Sequence, residues 1–189
     1  AAVNRRARQL LSRALEQFAH VLARRRRVAS LELHRLARAG QCVFDLPAEL
    51  PGLISTGNKI AIAYSCLADG IMAFLFADHE RAAERFAMVR RHEDQIFASF
   101  MRSALELYEG LNCCVLAGRS SRTRAYLLLR RAARNLRRLR RWSRQAPMNL
   151  QHRASLLAAE LARARGHHPA ARRCYHAAID LARTTGFLN

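Results

Sequence analysis

Between Asn149 and Arg183 two runs of apolar residues, each spaced in steps of three and four, are separated by little more than Gly166. In the first run, Asn149–Arg165, Leu150, Ala154, Leu157, Leu161 and Ala164 fall on one side of a helix. In the second, Pro169–Arg183, the inward set is Ala171, Cys174, Tyr175, Ala178 and Leu181, and Gly186 supplies a stop. Helices joined by so short a turn must lie antiparallel. Ala159, Ala171 and Ala178 let the two backbones approach, and Tyr175 fills the space beside them.

Small and large residues in this hairpin follow the pattern of a tetratricopeptide-type repeat: Ala159, a turn at Gly166, then Ala171, Tyr175 and Ala178. The match is partial. Ser155 and Ala158 replace the early aromatic and leucine, and Arg183 stands where a closing proline is usual. An earlier segment repeats the relation, with Gly70, Ala82 and Phe86 spaced as Ala159, Ala171 and Tyr175 are. Helices are expected there over Lys59–Phe76 and onward from the turn at Asp78.

The remaining periodic stretches complete the series. Leu11, Leu15, Phe18 and Leu22 make a stripe ending in Arg24–Arg27, and a second run from Ser30 to Val43 pairs with it. Pro47, Pro51, Gly52 and Gly57 concentrate the breakers of the chain in Phe44–Asn58, which reads as a loop and internal boundary. Two longer helices are expected over Gln95–Leu116, with an inner stripe of Phe97, Met101, Ala104, Tyr108, Leu111 and Val115, and over Ser121–Arg144. The fold class is therefore all-α: about eight helices in antiparallel hairpins, stacked as one TPR-like α-solenoid over residues 1–189. With 51% hydrophobic residues and only four prolines, composition agrees with a helical globular protein.

Function classes narrow by what is missing. No phosphate-binding GxxxxGK[ST] loop or kinase catalytic loop occurs, and no nucleophile and base share a helix face, so no catalytic or cofactor-binding residue is assigned. His152, His167, His168, Cys174 and His176 lack the spacing of a metal site, and five cysteines without a regular pattern read as packing residues. No stretch is long and apolar enough for a membrane span and no secretory leader opens the chain, which points to the cytoplasm.

The net charge of +19 is almost all arginine, Lys59 being the single lysine. Arg130, Arg134, Arg137, Arg138 and Arg141 lie in a segment with no acidic residue between Ser121 and Pro147, and they form a candidate anion surface. Nucleic acid is one partner for it, but aromatic residues for base stacking are scarce there, and a solvated face is the favoured reading. In the turn that follows, Pro147 stops one helix and Asn149 is placed to cap the next.

The run Trp142–Arg153, with its Ala146-Pro147-Met148-Asn149 turn, then Leu157–Arg163, Tyr175–Ala182 and Gly186-Phe187, resembles the helical-repeat region of large bacterial multidomain signalling kinases. Leu15–Val43 and Ile60–Val89 resemble it more weakly. In those proteins a serine/threonine-kinase-like domain and an AAA/STAND-type predicted ATPase precede the repeats, and a GAF sensor with a histidine kinase or another output domain commonly follows. The resemblance implies a fragment of a longer cytoplasmic polypeptide: a non-catalytic scaffold or sensor whose partner is protein, either adjacent ATPase or kinase domains or a partner helix. Alternatives are an arginine-rich nucleic-acid-binding module and the effector-sensing array of a transcriptional regulator.

Overall fold

The structure, a computed structural model, describes residues 51–52, 54–55, 57–96 and 100–186, all within the compact unit Leu46–Asn189. Among the described residues from Lys59 on, six α-helices follow in order: α1 Lys59–Leu75, α2 His79–Arg91, α3 Phe100–Ala117, α4 Arg122–Ser143, α5 Pro147–Ala164 and α6 His168–Thr184. A 3-10 turn, Glu93–Ile96, lies between α2 and α3. No strand occurs among the described residues, so the all-α class holds for them. Nor is any helix among them long and apolar enough to cross a membrane. The hairpin expected over residues 4–43 lies outside the described residues. Of the loop expected over 44–58, residues 51, 52, 54 and 55 are helical, and Gly57 and Asn58 lead into α1.

Helix ends are set by local chemistry. The Asn58 side chain accepts from the Ala61 amide at 3.0 Å, and Asp78 accepts from the Arg81 amide at 3.3 Å, satisfying donors that a first turn leaves open. α5 is different. It begins two residues before the expected start, with Ala146 at the cap position, Pro147 in the first turn and no side-chain cap. Pro147 suits that place because its fixed φ is helical and its missing N–H would have had no partner. Asn149 is thus a helical residue and not a cap.

α1 and α5 terminate in the same way. Asp78 N–H donates to the Ala73 carbonyl and Ala77 N–H to Phe74; after α5, His167 N–H donates to Ala162 and Gly166 N–H to Arg163. This double bond pattern requires a left-handed residue after the helix, and Ala77 (φ 62°) and Gly166 (φ 78°) supply it.

Each helix packs antiparallel on its sequence neighbour in the pairs α1–α2, α3–α4 and α5–α6, and α3 also touches α1, α2 and α5. One apolar cluster joins α1 and α2 through Ile62, Leu67, Phe86 and Val89 and takes in Leu105 of α3. Another joins α3, α4 and α5 through Leu107, Leu136, Leu139 and Leu157. Leu105 and Leu107 point into different clusters, so α3 is the helix that both share. Phe74 and Tyr108 meet edge to face at 5.8 Å where the clusters adjoin.

The structure revises the single stripe expected on α3. From Ser103 to Ala117 nearly every residue is buried, including Glu106, Glu109 and Asn112. Two glycines permit the close packing. A Cβ on Gly70 would lie 2.8 Å from Phe86 Cε1, and one on Gly110 would lie 2.7 Å from Leu157 Cδ2.

Candidate functional site

The burial of Glu106 and Glu109 has to be balanced, because a carboxylate removed from water is tolerated only when paired. Arg90, near the end of α2, provides the balance. Its two terminal nitrogens donate to the two oxygens of Glu106 at 2.9 and 2.8 Å, a bidentate pairing, while Nε donates to Glu109 Oε2 at 3.1 Å and Nη1 to Glu93 Oε2 at 3.0 Å. Arg138 of α4 enters from the other side, donating to Glu106 Oε1 at 2.8 Å and Glu93 Oε1 at 3.1 Å. Arg102 reaches Glu93 Oε1 at 2.6 Å and lies over the Trp142 ring. Asn135 completes the set, donating to Glu109 Oε2 at 2.8 Å and to the Glu106 carbonyl at 3.2 Å.

Three guanidinium groups therefore face three carboxylates where α2, α3 and α4 converge. Burial alone would favour the neutral form of Arg90, but the two glutamates outweigh it and hold the guanidinium more firmly charged than usual. Glu106 has no exposed surface at all. Both Glu106 oxygens are taken up by guanidinium groups, while the buried Glu109 Oε1 has no hydrogen-bond partner among the described residues, and the cluster ties α2, α3 and α4 together.

α4 presents its other arginines outward. Arg130, Arg134, Arg137 and Arg141 are exposed and form no ion pair with any described residue. Arg138, expected with them, is instead committed to Glu93 and Glu106. Arg131 leans toward Glu109 at 3.8 Å, and Arg124 pairs with Glu80 at 3.3 Å. At the start of the outer face Tyr126 is 60% and Leu127 58% exposed, and the Arg130 guanidinium lies 5.7 Å from the Tyr126 ring centre.

The expected repeat-packing residues fall as follows. Gly70, Ala82, Phe86, Ala159, Ala171 and Ala178 are all buried at the hairpin interfaces. Tyr175 is only half-buried, and its hydroxyl donates to Glu160, which also pairs with Arg163. Burial, then the bond to Glu160, push the Tyr175 phenol well above its ordinary range. Asp69 sits between α1 and α2, pairing with Arg81 at 2.6 Å and Arg85 at 2.7 Å. Among the described residues no three His, Cys, Asp or Glu side chains converge as metal ligands would. Comparison with protein-family models, curated proteins and solved structures finds no significant match.

Arg90, Glu93, Glu106, Glu109 and Asn135 were not singled out by spacing. A signal exists for Glu106 and Glu109: α3 carries leucines and cysteines on most sides, so it has no polar face, and an acid on it has to be buried and paired.

Proposed function

We propose that the chain is a non-catalytic, TPR-like helical-repeat scaffold that makes protein–protein or interdomain contacts within a cytoplasmic bacterial signal-transduction ATPase or kinase. The observation that carries this reading is the correspondence of the first and last described hairpins. Gly70, Ala77, Ala82 and Phe86 recur in register as Ala159, Gly166, Ala171 and Tyr175; the first three pairs match in burial or turn geometry, while Phe86 is buried and Tyr175 half-buried. Structural units that repeat and pack on their neighbours can extend into an array whose surface grows with each hairpin, which suits binding more than catalysis. A partner bound along such an array biases its curvature, and through it the state of an attached ATPase.

The test is calorimetric titration of the 189-residue chain against separately expressed ATPase, kinase and output domains of the same polypeptide. Saturable binding to at least one of them, with no turnover of nucleotide by the chain alone, is the expected result. Failure to bind any of them, or catalysis that belongs to this chain, contradicts the scaffold reading.

A further inference from the structure

Six of the arginines of α4 fall into two sets with different work. Arg131 and Arg138 face α3, whose Glu106 and Glu109 are one helical turn apart, and this contact shows α4 receiving carboxylates from a neighbouring helix. Arg130, Arg134, Arg137 and Arg141 have the same helical spacing on the outer side, and no described acid meets them. Steps of four, three and four put them in one row, about 16 Å long at about 1.5 Å per residue. Tyr126, one turn before Arg130, begins the row, with Leu127 beside it. A row of like charges opposes folding slightly, and none of the four forms an ion pair with a described residue.

We propose that this row is a docking strip for an acidic amphipathic helix of a protein partner, its carboxylates spaced by three and four residues opposite the four arginines and an apolar side chain at one end against Tyr126 and Leu127. This rests on the scaffold reading and names the chemistry of its partner. Guanidinium groups one turn apart match carboxylates one turn apart on a second helix, with the bidentate geometry that Arg90 and Glu106 already display. A phosphate backbone fits less well. Leu127 has nothing to meet on a phosphate ridge, and Tyr126 is the one exposed ring along the row, where stacking of successive bases would need several.

The probe is a labelled helical peptide of about five turns with leucines at one end and glutamates along one face, titrated into the full chain by fluorescence anisotropy at low salt. Three comparisons accompany it: a peptide of the same composition with its glutamates on all faces, a DNA duplex, and two charge-reversed proteins. One protein carries R134E and R137E. The other carries R172E and R173E on α6, where both arginines are also exposed, so that net charge is equal. The expected result is a loss of about tenfold or more in affinity for R134E/R137E and for the rearranged peptide, with less than about twofold for R172E/R173E. Circular dichroism melting of both variants should match the wild type, because none of the four residues carries an internal ion pair.

Equal losses in the two variants would reduce the effect to net charge and overturn the proposal. So would a duplex that binds more tightly than the peptide and loses affinity with R134E/R137E, which would make the strip a nucleic-acid surface. If the peptide is not bound while a domain of the same polypeptide binds wild type and R134E/R137E alike, the strip fails and the scaffold stands. If neither peptide nor domain binds, both fail.

Discussion

Ala77 and Gly166 occupy the same position in corresponding turns, each the left-handed second residue beyond a helix, at φ 62° and 78°. A left-handed alanine is strained by its Cβ where glycine is not, so the two hairpins share a geometry that only one of them makes with the favoured residue. Ala77→Gly should therefore stabilise the chain by about 0.5–1 kcal/mol, the relief of strain being partly offset by a more flexible unfolded chain. Gly166→Ala should destabilise it by about 1 kcal/mol. Urea denaturation reads both, and two changes of the same sign would mean that the turns are not equivalent.

Gly110 gives α5 its seat on α3. Leu157 has no exposed surface, and an added Cβ would press on both of its methyl groups. Gly110→Ala should cost about 1–3 kcal/mol from overpacking, less up to about 1 kcal/mol of improved helix propensity. Leu157→Ala alone should cost about 2–5 kcal/mol. Combined, the two should cost less than their sum by at least about 0.5 kcal/mol, since the cavity accepts the new methyl group. Strict additivity would show that the two residues do not touch.

The charged cluster makes stability depend on pH in a defined direction. Burial by itself pushes the Glu93 carboxyl up, but the hydrogen bond and charge of Arg90, with the charges of Arg138 and Arg102, outweigh it and leave the group below its ordinary value. A carboxyl lowered by folding adds stability that is present above the unfolded value, about 4.3, and is lost as pH falls through the folded value. Melting temperature should decline as pH drops below about 4, and Glu93→Gln should make that decline shallower. An identical acid limb in the variant would remove Glu93 from the linkage.

Thiol reactivity should follow burial. Cys113 and Cys114 are buried in α3, and desolvation, reinforced by nearby Glu109 and Glu160 respectively, pushes both thiols up to about 12. The thiolate is the reactive form, so at mildly alkaline pH these two and buried Cys66 should resist iodoacetamide in the native protein, while half-buried Cys174 is alkylated. Mass spectrometry assigns the sites. Native labelling of Cys113 or Cys114 at the rate of the denatured protein would contradict the placement of α3 at the centre.

Much of this was legible in the sequence, and the part that was not has a physical reason. Steps of three and four located the six helices from α1 to α6 to within about five residues, because one-sided burial leaves a periodic trace, but not the helical residues 51, 52, 54 and 55, which lie among the prolines and glycines of the expected loop. The pattern also set Gly70, Ala82 and Phe86 in the same relation as Ala159, Ala171 and Tyr175. It could not place Asn149, since a capping residue and a proline at the first helical position compete for the same helix start, and Pro147 prevailed. α3 was misread as a one-striped helix because periodicity registers contrast between faces, and a helix enclosed on all sides has little. Arg137 and Arg138 are indistinguishable by composition; only the position of Glu106 on another helix separates them.

That last distinction permits the most direct measurement. Arg137 and Arg138 are adjacent in α4, one facing solvent without an ion pair and the other bound to Glu93 and Glu106. Denaturation of Arg137→Gln and Arg138→Gln, measured side by side with the affinity of each for the acidic peptide, tests whether the helix has an inner face that locks the fold and an outer face that docks a partner. Arg138→Gln should lose about 1–2 kcal/mol of stability with its peptide affinity retained, whereas Arg137→Gln should stay within about 0.5 kcal/mol and bind more weakly. Equal stability losses, or weakened binding in Arg138→Gln alone, would contradict the division of α4 into two faces.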